Sequence, residues 1–192
     1  MKLCFATNNA HKIREVQQLL GSSFEIVGLQ AIGCTEELPE TQDTIEGNSA
    51  QKARFVYQNY KINCFADDTG LEIEALQGEP GVHSAHYAGP ERDSQANMVK
   101  VLNGLAGAQN RQAQFRTVIT LIRDEQEYSF EGIAPGTIAE APSGKGGFGY
   151  DPIFTPQGYK QSFAEMTLED KNQISHRAKA VYKLVDFLQN HR

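Results

Sequence analysis

Residues 3–20 read LCFATNNAHKIREVQQLL, and this stretch by itself indicates the fold class. Apolar Leu3 to Phe5 are typical of a short buried strand, and polar Thr7-Asn8-Asn9 follows as a loop. Apolar residues then recur at helical spacing until Gly21, at Ile13, Val16, Leu19 and Leu20. The stretch therefore predicts a strand, a loop and a helix, which together open an α/β fold.

The next segments alternate between strand-like and helix-like patterns. Phe24 to Leu29 predicts a second strand, and Thr44 is a suitable N-cap for a helix that carries Lys52. A strand at Asn63 to Ala66 leads into Asp67-Asp68-Thr69-Gly70, after which Leu71 to Leu76 alternates with period two. Strand alternation predicts that the Asp67 side chain points away from the side that Asp68 faces.

The second half of the chain predicts a β-hairpin between helices. Gln114 to Arg123 and Tyr128 to Ala139 are strand-like runs with a short link, and Asp93 opens a helix before them. A last helix follows with one apolar stripe of Ala178, Val181, Leu184, Val185 and Leu188. We expect one α/β domain over residues 1–192, with a mixed sheet flanked by helices and a middle part that forms a second lobe.

Composition excludes several classes of protein. The chain has 40% hydrophobic and 22% charged residues, which is ordinary globular usage and unlike that of disordered proteins. Lysine and arginine total 18 against 24 acidic residues, and the net charge of −6 argues against a nucleic-acid polymer as partner. With neither a signal-peptide core nor an 18-residue apolar run, we expect no membrane association and a cytoplasmic location. Cys4, Cys34 and Cys64 lie 30 residues apart and are interpreted as buried apolar residues.

The segment from Thr7 to Lys12 lies where the first strand gives way to the first helix. Such a junction presents backbone N–H groups and the positive end of the helix dipole, and Lys12 adds a full charge. One interpretation is an anion-binding site. The other is a plain N-cap by Asn8 or Asn9 with a solvated Lys12, and the segment alone does not separate the two.

Acidic residues form a second group, in the segment Glu36 to Glu40 and at Asp67-Asp68. Carboxylates at the carboxyl ends of strands are where α/β folds place their chemistry, and hard oxygen ligands suit Mg²⁺. Glu40 and Asp68 could share one such ion. The alternatives are turn chemistry at Asp-Asp-Thr-Gly and a solvated acidic face, which is favoured for Glu36 and Glu37 but not for Asp68.

The segment Gly144 to Gly149 fits the letters G-x-G-x-x-G without their usual context. Pro142 stands where a strand should lead in, and Tyr150-Asp151-Pro152 follows where a helix should open, so a dinucleotide fingerprint is excluded. A P-loop is excluded because Gly146 follows Lys145 where Ser or Thr is needed. Two interpretations remain: a loop that offers Phe148 and Asp151 to a flat heterocycle, or a glycine-rich turn with Phe148 in the core.

The fourth group is Lys171 followed by Ser175-His176-Arg177 at the start of the last helix. Cations in a first helical turn oppose the helix dipole unless an anion or a carbonyl oxygen faces them. The alternative is a solvated basic turn. A triphosphate carries about four negative charges, so an acidic chain that binds one must gather cations locally. Together the four groups predict a nucleotide hydrolase.

Six motifs in order, from Thr7 to Arg177, give the chain a family resemblance. They are Thr7-x-Asn9-x-x-Lys12, Asn48-x-x-x-Lys52-Ala53, Ala66-Asp67-Asp68-Thr69-Gly70-Leu71, Gly81-Val82-His83-Ser84-Ala85, Gly146-Gly147-Phe148-Gly149-Tyr150-Asp151-Pro152 and Ser175-His176-Arg177. The set resembles the Ham1/RdgB/ITPase family, whose members are inosine and xanthosine triphosphate pyrophosphatases that remove noncanonical purine nucleotides. The resemblance implies a two-lobed α/β fold with a long mixed sheet, an active-site cleft between the lobes, Mg²⁺ dependence and a homodimer.

The resemblance also implies roles for individual residues. Asp68 is expected as the general base and a metal ligand, with Glu40 as a second metal ligand. The phosphate-binding set is expected at Thr7, Asn8, Asn9, Ala10, His11, Lys12 and Lys52. The remaining substrate and base-binding residues are expected at Thr69, Phe148, Gly149, Tyr150, Asp151, Lys171, His176 and Arg177. Asn8 stands where many members have Gly, and Thr69 where many have Ser; Asn tolerates left-handed backbone angles and Thr keeps the hydroxyl.

The implied reaction is the attack of an Asp68-activated water on the α-phosphorus of ITP, dITP, XTP or dXTP, which releases pyrophosphate and the nucleoside monophosphate. Arg177 and His176 would donate to the 6-keto oxygen of the base. Two other functions stay open: a Maf-like pyrophosphatase for other modified nucleotides, and a nucleotide-binding regulator without catalysis.

Overall fold

The regular structure consists of seven strands and five α-helices within residues 2–20 and 24–191, the part of the chain that the computed structural model describes. The strands are β1 (Lys2–Phe5), β2 (Glu25–Val27), β3 (Cys64–Ile73), β4 (Pro80–Gly81), β5 (Gln112–Arg123), β6 (Gln126–Ile138) and β7 (Phe154–Pro156). The helices are α1 (Ala10–Leu20), α2 (Ile45–Tyr60), α3 (Ser94–Gly104), α4 (Leu168–Ile174) and α5 (His176–Asn190).

The strands form one mixed sheet in the order β2-β1-β3-β5-β6-β7, with β4 paired to β3. The strand β1 pairs in parallel with β2 and with β3, where Phe5 lies opposite Phe65. The pairs β3–β4 and β6–β7 are antiparallel. The predicted mixed sheet flanked by helices is therefore confirmed.

Local sequence signals account for most element boundaries. Thr44 accepts a hydrogen bond from Gly47 N at 3.0 Å and caps α2, as predicted, and Asp93 caps α3 in the same way. The predicted hairpin is present as β5 and β6, joined by Asp124 and Glu125, which both adopt positive φ. The helix predicted after the first strand is α1, and its expected stop at Gly21 lies outside the described residues.

Two strand predictions differ from the structure. The predicted break after Ala66 is absent, because β3 continues without interruption through Asp67, Asp68 and Gly70 to Ile73. Turn-forming residues stay extended here because both aspartates are buried and ion-paired, which offsets their weak strand propensity. The second difference is β2, which is shorter than predicted because the chain enters a 3₁₀ turn at Leu29–Ile32.

The chain divides into two compact units, each made of separate stretches. Unit 1 comprises the chain up to Asp68, Thr117–Gly132 and the chain from Arg177 onward. Unit 2 comprises Thr69–Arg116 and Ile133–His176. The strands β3, β5 and β6 each contribute residues to both units.

Unit 1 has two apolar clusters, because side chains alternate along its strands. Leu3 and Phe5 belong to the cluster that includes Val16 of α1 and Leu184 of α5. The neighbouring residues Cys4 and Ala6 belong to the other cluster, with Ala53 and Val56 of α2 and with Cys64 and Cys34. The three cysteines are free and buried, as predicted.

Unit 2 has one apolar cluster of its own. Leu71 and Ile73 of β3 pack with Met98, Val101 and Leu105 of the α3 region. The rings of Phe115, Phe154 and Phe163 belong to the same cluster. Among all helices that the structure describes, none is long and apolar enough to cross a membrane.

Candidate active site

The start of α1 is fixed by its own polar side chains. Asn9 Oδ1 accepts hydrogen bonds from the backbone N–H groups of His11 (3.0 Å) and Lys12 (3.2 Å), and Thr7 Oγ1 accepts one from Asn9 N at 3.1 Å. Asn9 is therefore the N-cap, and Asn8, Ala10 and His11 are exposed. The cap fixes the first turn of the helix, from which the Lys12 side chain extends.

Asp67 lies at the centre of a buried cluster of charges in unit 1. Its Oδ1 accepts from Lys12 Nζ at 2.9 Å, and its Oδ2 accepts from Arg177 Nε at 3.2 Å. Arg177 also donates through Nη1 to Glu15 of α1. Asp67 and Arg177 are 1% and 2% exposed, so both charges are almost entirely removed from water. Such charges are tolerated because each has a partner of opposite sign.

This cluster shifts the pKa values of its members. Burial favours the neutral form of Asp67, but the positive charges of Lys12, Arg177 and Lys52 outweigh it and hold the pKa of Asp67 well below its ordinary value. Burial lowers the pKa of Lys12, against the attraction of Asp67. The Asp67 carboxylate is consequently ionised throughout the physiological range and is a poor proton acceptor.

Asp68 belongs to a second cluster, in which one lysine bridges two carboxylates. Lys52 Nζ donates to Glu40 Oε1 at 2.6 Å and to Asp68 Oδ1 at 3.1 Å. Burial raises the pKa of Asp68 above its ordinary value, against the opposing charges of Lys52 and Lys12. Burial lowers the pKa of Lys52, but Asp68, Glu40 and Asp67 together raise it above the ordinary value. A buried carboxylate with a raised pKa suits a general base.

The two aspartates lie just beyond the end of the neighbouring strand. The strand β1 ends at Phe5, and Ala6 N donates to Phe65 O at 2.8 Å as the last rung beside β3. The sequence led us to expect these carboxylates at the end of their own strand; they lie in the middle of β3 instead, next to the carboxyl end of β1. Parallel strands commonly place functional groups at this edge.

Several polar residues to which the sequence analysis assigned no role support Lys52 and Glu40. Ser49 Oγ of α2 donates to Ala66 O at 3.1 Å and can accept from the Thr120 hydroxyl at 2.9 Å, and these contacts dock α2 on β3 and β5. The segment just after Glu40 is tied to the same helix, because Thr41 N donates to Gln51 Oε1 and Gln42 N donates to Asn48 Oδ1, both at 2.9 Å. The sequence does contain a signal for this support, because polar residues of α2 lie one helical turn before Lys52.

Asp151 organises the glycine-rich loop in unit 2. Its Oδ2 accepts from Phe148 N at 2.9 Å and from Lys171 Nζ at 2.7 Å. The Lys171 ammonium lies 5.1 Å from the centre of the Phe148 ring, in cation–π range. Gly147 has φ +68°, and a Cβ there would lie 2.2 Å from Asp151 Oδ2. Glycine at this position thus allows the loop to close tightly over the carboxylate.

The other predicted base-binding residues of unit 2 occupy buried or half-buried positions. Tyr150 is buried, and its hydroxyl donates to Ser84 O at 2.7 Å. His176 is buried and stacks on Phe115 with ring centres 4.6 Å apart. Gly149 adopts a positive φ of 61°, and Thr69 is half-buried beside Asp68 in the sequence.

The structure thus brings the predicted residues together in two groups. In unit 1, one set of ion pairs links Lys12 and Arg177 through Asp67 and also includes Glu15, and a second set links Lys52 with Glu40 and Asp68. In unit 2, contacts link Phe148, Asp151 and Lys171. Glu15 was missed by the sequence analysis. The sequence could have pointed to Glu15 by its position: it lies three residues after Lys12 and next to apolar Val16, on the buried side of α1.

Comparisons with known proteins extend over the whole chain. The Ham1 family model matches residues 3–187. A dITP/XTP pyrophosphatase of Flavobacterium johnsoniae is 54% identical over 188 residues, covering 98% of each chain, and one of Porphyromonas gingivalis is 56% identical, covering 97% of each. The solved structure of the Staphylococcus aureus Ham1 protein matches with a TM-score of 0.91 at 35% identity, covering 100% of both chains. A HAM1 protein of Coxiella burnetii matches with a TM-score of 0.90 at 34% identity, covering 99% of both.

Proposed function

The chain belongs to the Ham1 family, and on that premise we propose that it hydrolyses the noncanonical purine nucleoside triphosphates ITP, dITP, XTP and dXTP to the monophosphate and pyrophosphate. The observation that carries the proposal is the arrangement in unit 1 of two lysines and three carboxylates on neighbouring elements. Lys12 contacts Asp67, and Lys52 contacts both Asp68 and Glu40. Such a site offers both cations for a triphosphate and a base for water.

Asp68 is the proposed general base. Its carboxylate takes a proton from a water molecule whose oxygen attacks the α-phosphorus, and the bond from that phosphorus to the pyrophosphate oxygen breaks. The burial that raises the pKa of Asp68 improves its match to a proton transfer near neutral pH. Asp67 cannot substitute for it, because its two carboxylate oxygens are engaged by Lys12 and Arg177.

Lys12 and Lys52 are the proposed phosphate ligands. Both ammonium groups are largely removed from water, where a charge interacts more strongly with a bound polyanion than it does in bulk solvent. They neutralise charge that builds up on the leaving pyrophosphate. The segment Thr7 to Lys12 contains the cap and the first turn of α1, and it adds the positive end of the helix dipole.

Glu40 and Asp68 are the proposed ligands of Mg²⁺. The fit rests on their chemistry: both are carboxylates with an oxygen within 3.1 Å of the same positive charge, the Lys52 ammonium. Two hard oxygen ligands of this kind, completed by water and phosphate oxygens, match the preference of Mg²⁺. A bound Mg²⁺ supplies divalent charge to the phosphate oxygens. Within the described part of the chain, no group of three or more His, Cys, Asp or Glu residues could hold a metal ion by itself.

The proposed base-binding set is Thr69, Phe148, Gly149, Tyr150, Asp151, Lys171, His176 and Arg177. The ring of Phe148 offers an aromatic face, and Asp151 with Lys171 holds the loop that carries it. His176 and Arg177 are the proposed donors to a 6-keto oxygen. Adenine has an amino group at that position and would leave these donors unsatisfied, which discriminates strongly against ATP. We further propose a homodimer in the cytoplasm that binds no nucleic-acid polymer and no membrane.

A screen for released pyrophosphate tests the function. The purified chain is incubated with Mg²⁺ and each of ITP, dITP, XTP, dXTP and the common nucleoside triphosphates, and both pyrophosphate and orthophosphate are measured. We expect pyrophosphate and monophosphate from the inosine and xanthosine nucleotides, and far less from ATP. Orthophosphate would place attack at the γ-phosphorus and contradict the proposal. Turnover of other modified nucleotides only would favour a Maf-like enzyme, and intact bound nucleotide a regulator.

A further inference from the structure

Glu15 is a buried acid close to the proposed phosphate site, and neither the family resemblance nor the proposed mechanism gives it a role. It lies in α1, is 5% exposed and accepts a hydrogen bond from Arg177 Nη1. A glutamate is almost never this buried unless it has a partner. Lys12, three residues earlier on the same helix, is a proposed phosphate ligand. Residues three apart on a helix lie on neighbouring positions of one face.

The contacts form a closed circuit that begins and ends on α1. From Lys12 it passes to Asp67 Oδ1 at 2.9 Å, from Asp67 Oδ2 to Arg177 Nε at 3.2 Å, and from Arg177 Nη1 back to Glu15. The three elements involved are α1, β3 and α5, and all four residues belong to unit 1. We propose that Glu15 is a positioning residue, which acts through Arg177 and Asp67 to hold the Lys12 ammonium where it binds the phosphates of the substrate.

The charges explain why Glu15 is needed. Lys12 and Arg177 repel each other, and each takes one oxygen of Asp67. Without Glu15, the single carboxylate of Asp67 would face two largely buried cations, and the excess positive charge would drive away Lys12, whose side chain is the more exposed of the two. Glu15 removes that excess by pairing with Arg177, so that one oxygen of Asp67 remains dedicated to Lys12. Buried charges tolerate such an imbalance poorly.

The inference rests on the proposed function, because it assumes that Lys12 binds phosphate. The test therefore uses inorganic triphosphate. This probe has no purine base, so its affinity reports phosphate binding alone. Its affinity is measured by calorimetry for the full-length chain and for Glu15→Gln, which keeps the size of the side chain and removes the charge. The same change is then made in a Lys12→Ala background. Residues that act as a unit show non-additive effects in such a cycle.

We expect Glu15→Gln to weaken triphosphate binding by about tenfold, and to weaken it by less than about twofold further when Lys12 is already alanine. Glu127→Gln is the matched control: it makes the same chemical change in unit 1, in a glutamate that receives two hydrogen bonds of 2.8 Å from Arg54 at an exposed site. This control should bind triphosphate as the unmodified chain does.

Equal losses in the two backgrounds would show that Glu15 acts on the fold and not through Lys12, and would overturn the inference. So would unchanged triphosphate binding in Glu15→Gln. If that variant does not fold, Glu15→Asp keeps the charge with a shorter side chain, and the same cycle applies to it. If the unmodified chain binds no triphosphate and releases no pyrophosphate from dITP, the proposed function fails as well. Normal dITP turnover with no effect of Glu15 removes the inference alone.

Discussion

At the scale of single residues, Asp67 and Asp68 show how two adjacent carboxylates acquire different chemistry. Both are buried, so burial alone does not distinguish them. Asp67 pairs with two cations, and its pKa lies well below the ordinary value; Asp68 shares one lysine with Glu40, and its pKa is raised. Neighbouring acids with pKa values moved in opposite directions commonly divide structural and proton-transfer roles.

Replacement of Asp68 by asparagine tests its role as base. The amide keeps the shape of the side chain but cannot accept the proton of the attacking water, so we expect turnover of dITP to fall by roughly 10²–10⁴-fold with the fold intact. Stopped assays of pyrophosphate release, with circular dichroism as a check of folding, give the measurement.

Asp186→Asn is the control for that experiment, because Asp186 is exposed on α5 and its contact is a local hydrogen bond from Asn190. It should retain full turnover. Asp67→Asn is unsuitable as a control, although strand alternation predicts that its side chain points away from the side that Asp68 faces, because it would break the buried ion pairs of Asp67. A near-normal rate in Asp68→Asn would remove Asp68 from the mechanism.

Asp67 should make folding stability depend on pH. Its folded pKa lies below the unfolded value, so the unfolded chain binds more protons, and the stability that Asp67 contributes is present above the ordinary carboxyl range and lost as the pH falls through it. Urea unfolding from pH 7 down to about pH 2 measures this, because the loss falls mainly below the ordinary carboxyl pKa. We expect Asp67→Asn to be less stable at pH 7, by about 3–5 kcal/mol, and to lose less stability on acidification. Parallel losses in both proteins would contradict the prediction.

At the scale of elements, the glycine-rich loop depends on its contact with Asp151. Gly147→Ala places a side chain in the left-handed region and 2.2 Å from Asp151 Oδ2, so the loop that carries Phe148 must move. We expect kcat/KM for dITP to fall by about tenfold or more, while the affinity for inorganic triphosphate stays unchanged.

Gly28→Ala is the matched control for the loop, because a Cβ at Gly28 would meet nothing within 4 Å and its φ is −84°. That variant should keep its dITP kinetics. A loss of triphosphate binding in Gly147→Ala would mean that the loop also serves the phosphates.

The element scale also shows which features the sequence could predict. The strand, loop and helix at the start, the Thr44 cap and the apolar stripe of α5 follow from short-range periodicity and capping, and the structure confirms them. The continuous course of β3 through Asp67-Asp68-Thr69-Gly70 could not be predicted, because it depends on cations that are distant in sequence. Glu15 was missed for the same reason, since its partner lies 162 residues away. The substrate roles of the predicted residues remain predictions.

At the scale of the whole molecule, the two units share three continuous strands, and we therefore expect a single cooperative unfolding transition. Leu184 of α5 has no exposed surface and packs in the cluster with Leu3 and Phe5. Leu184→Ala should lower the free energy of unfolding by about 2–5 kcal/mol in urea titrations. The exposed neighbour Gln189, changed to alanine, should alter it by no more than about 0.5 kcal/mol. Two separate transitions would contradict shared cooperativity.

The circuit of Lys12, Asp67, Arg177 and Glu15 also has a consequence for biosynthesis. Glu15 and Asp67 are synthesised before Arg177, so both carboxylates lack this partner until residue 177 has emerged from the ribosome. Until then the nascent chain carries two acids without their buried partner, and unit 1 cannot be completed before its third stretch, which begins at Arg177, has been made. A chain that stops just before residue 177 would contain all seven strands but would lack the ion pairs of Arg177 with Asp67 and Glu15, so we expect premature termination to yield no partly active hydrolase.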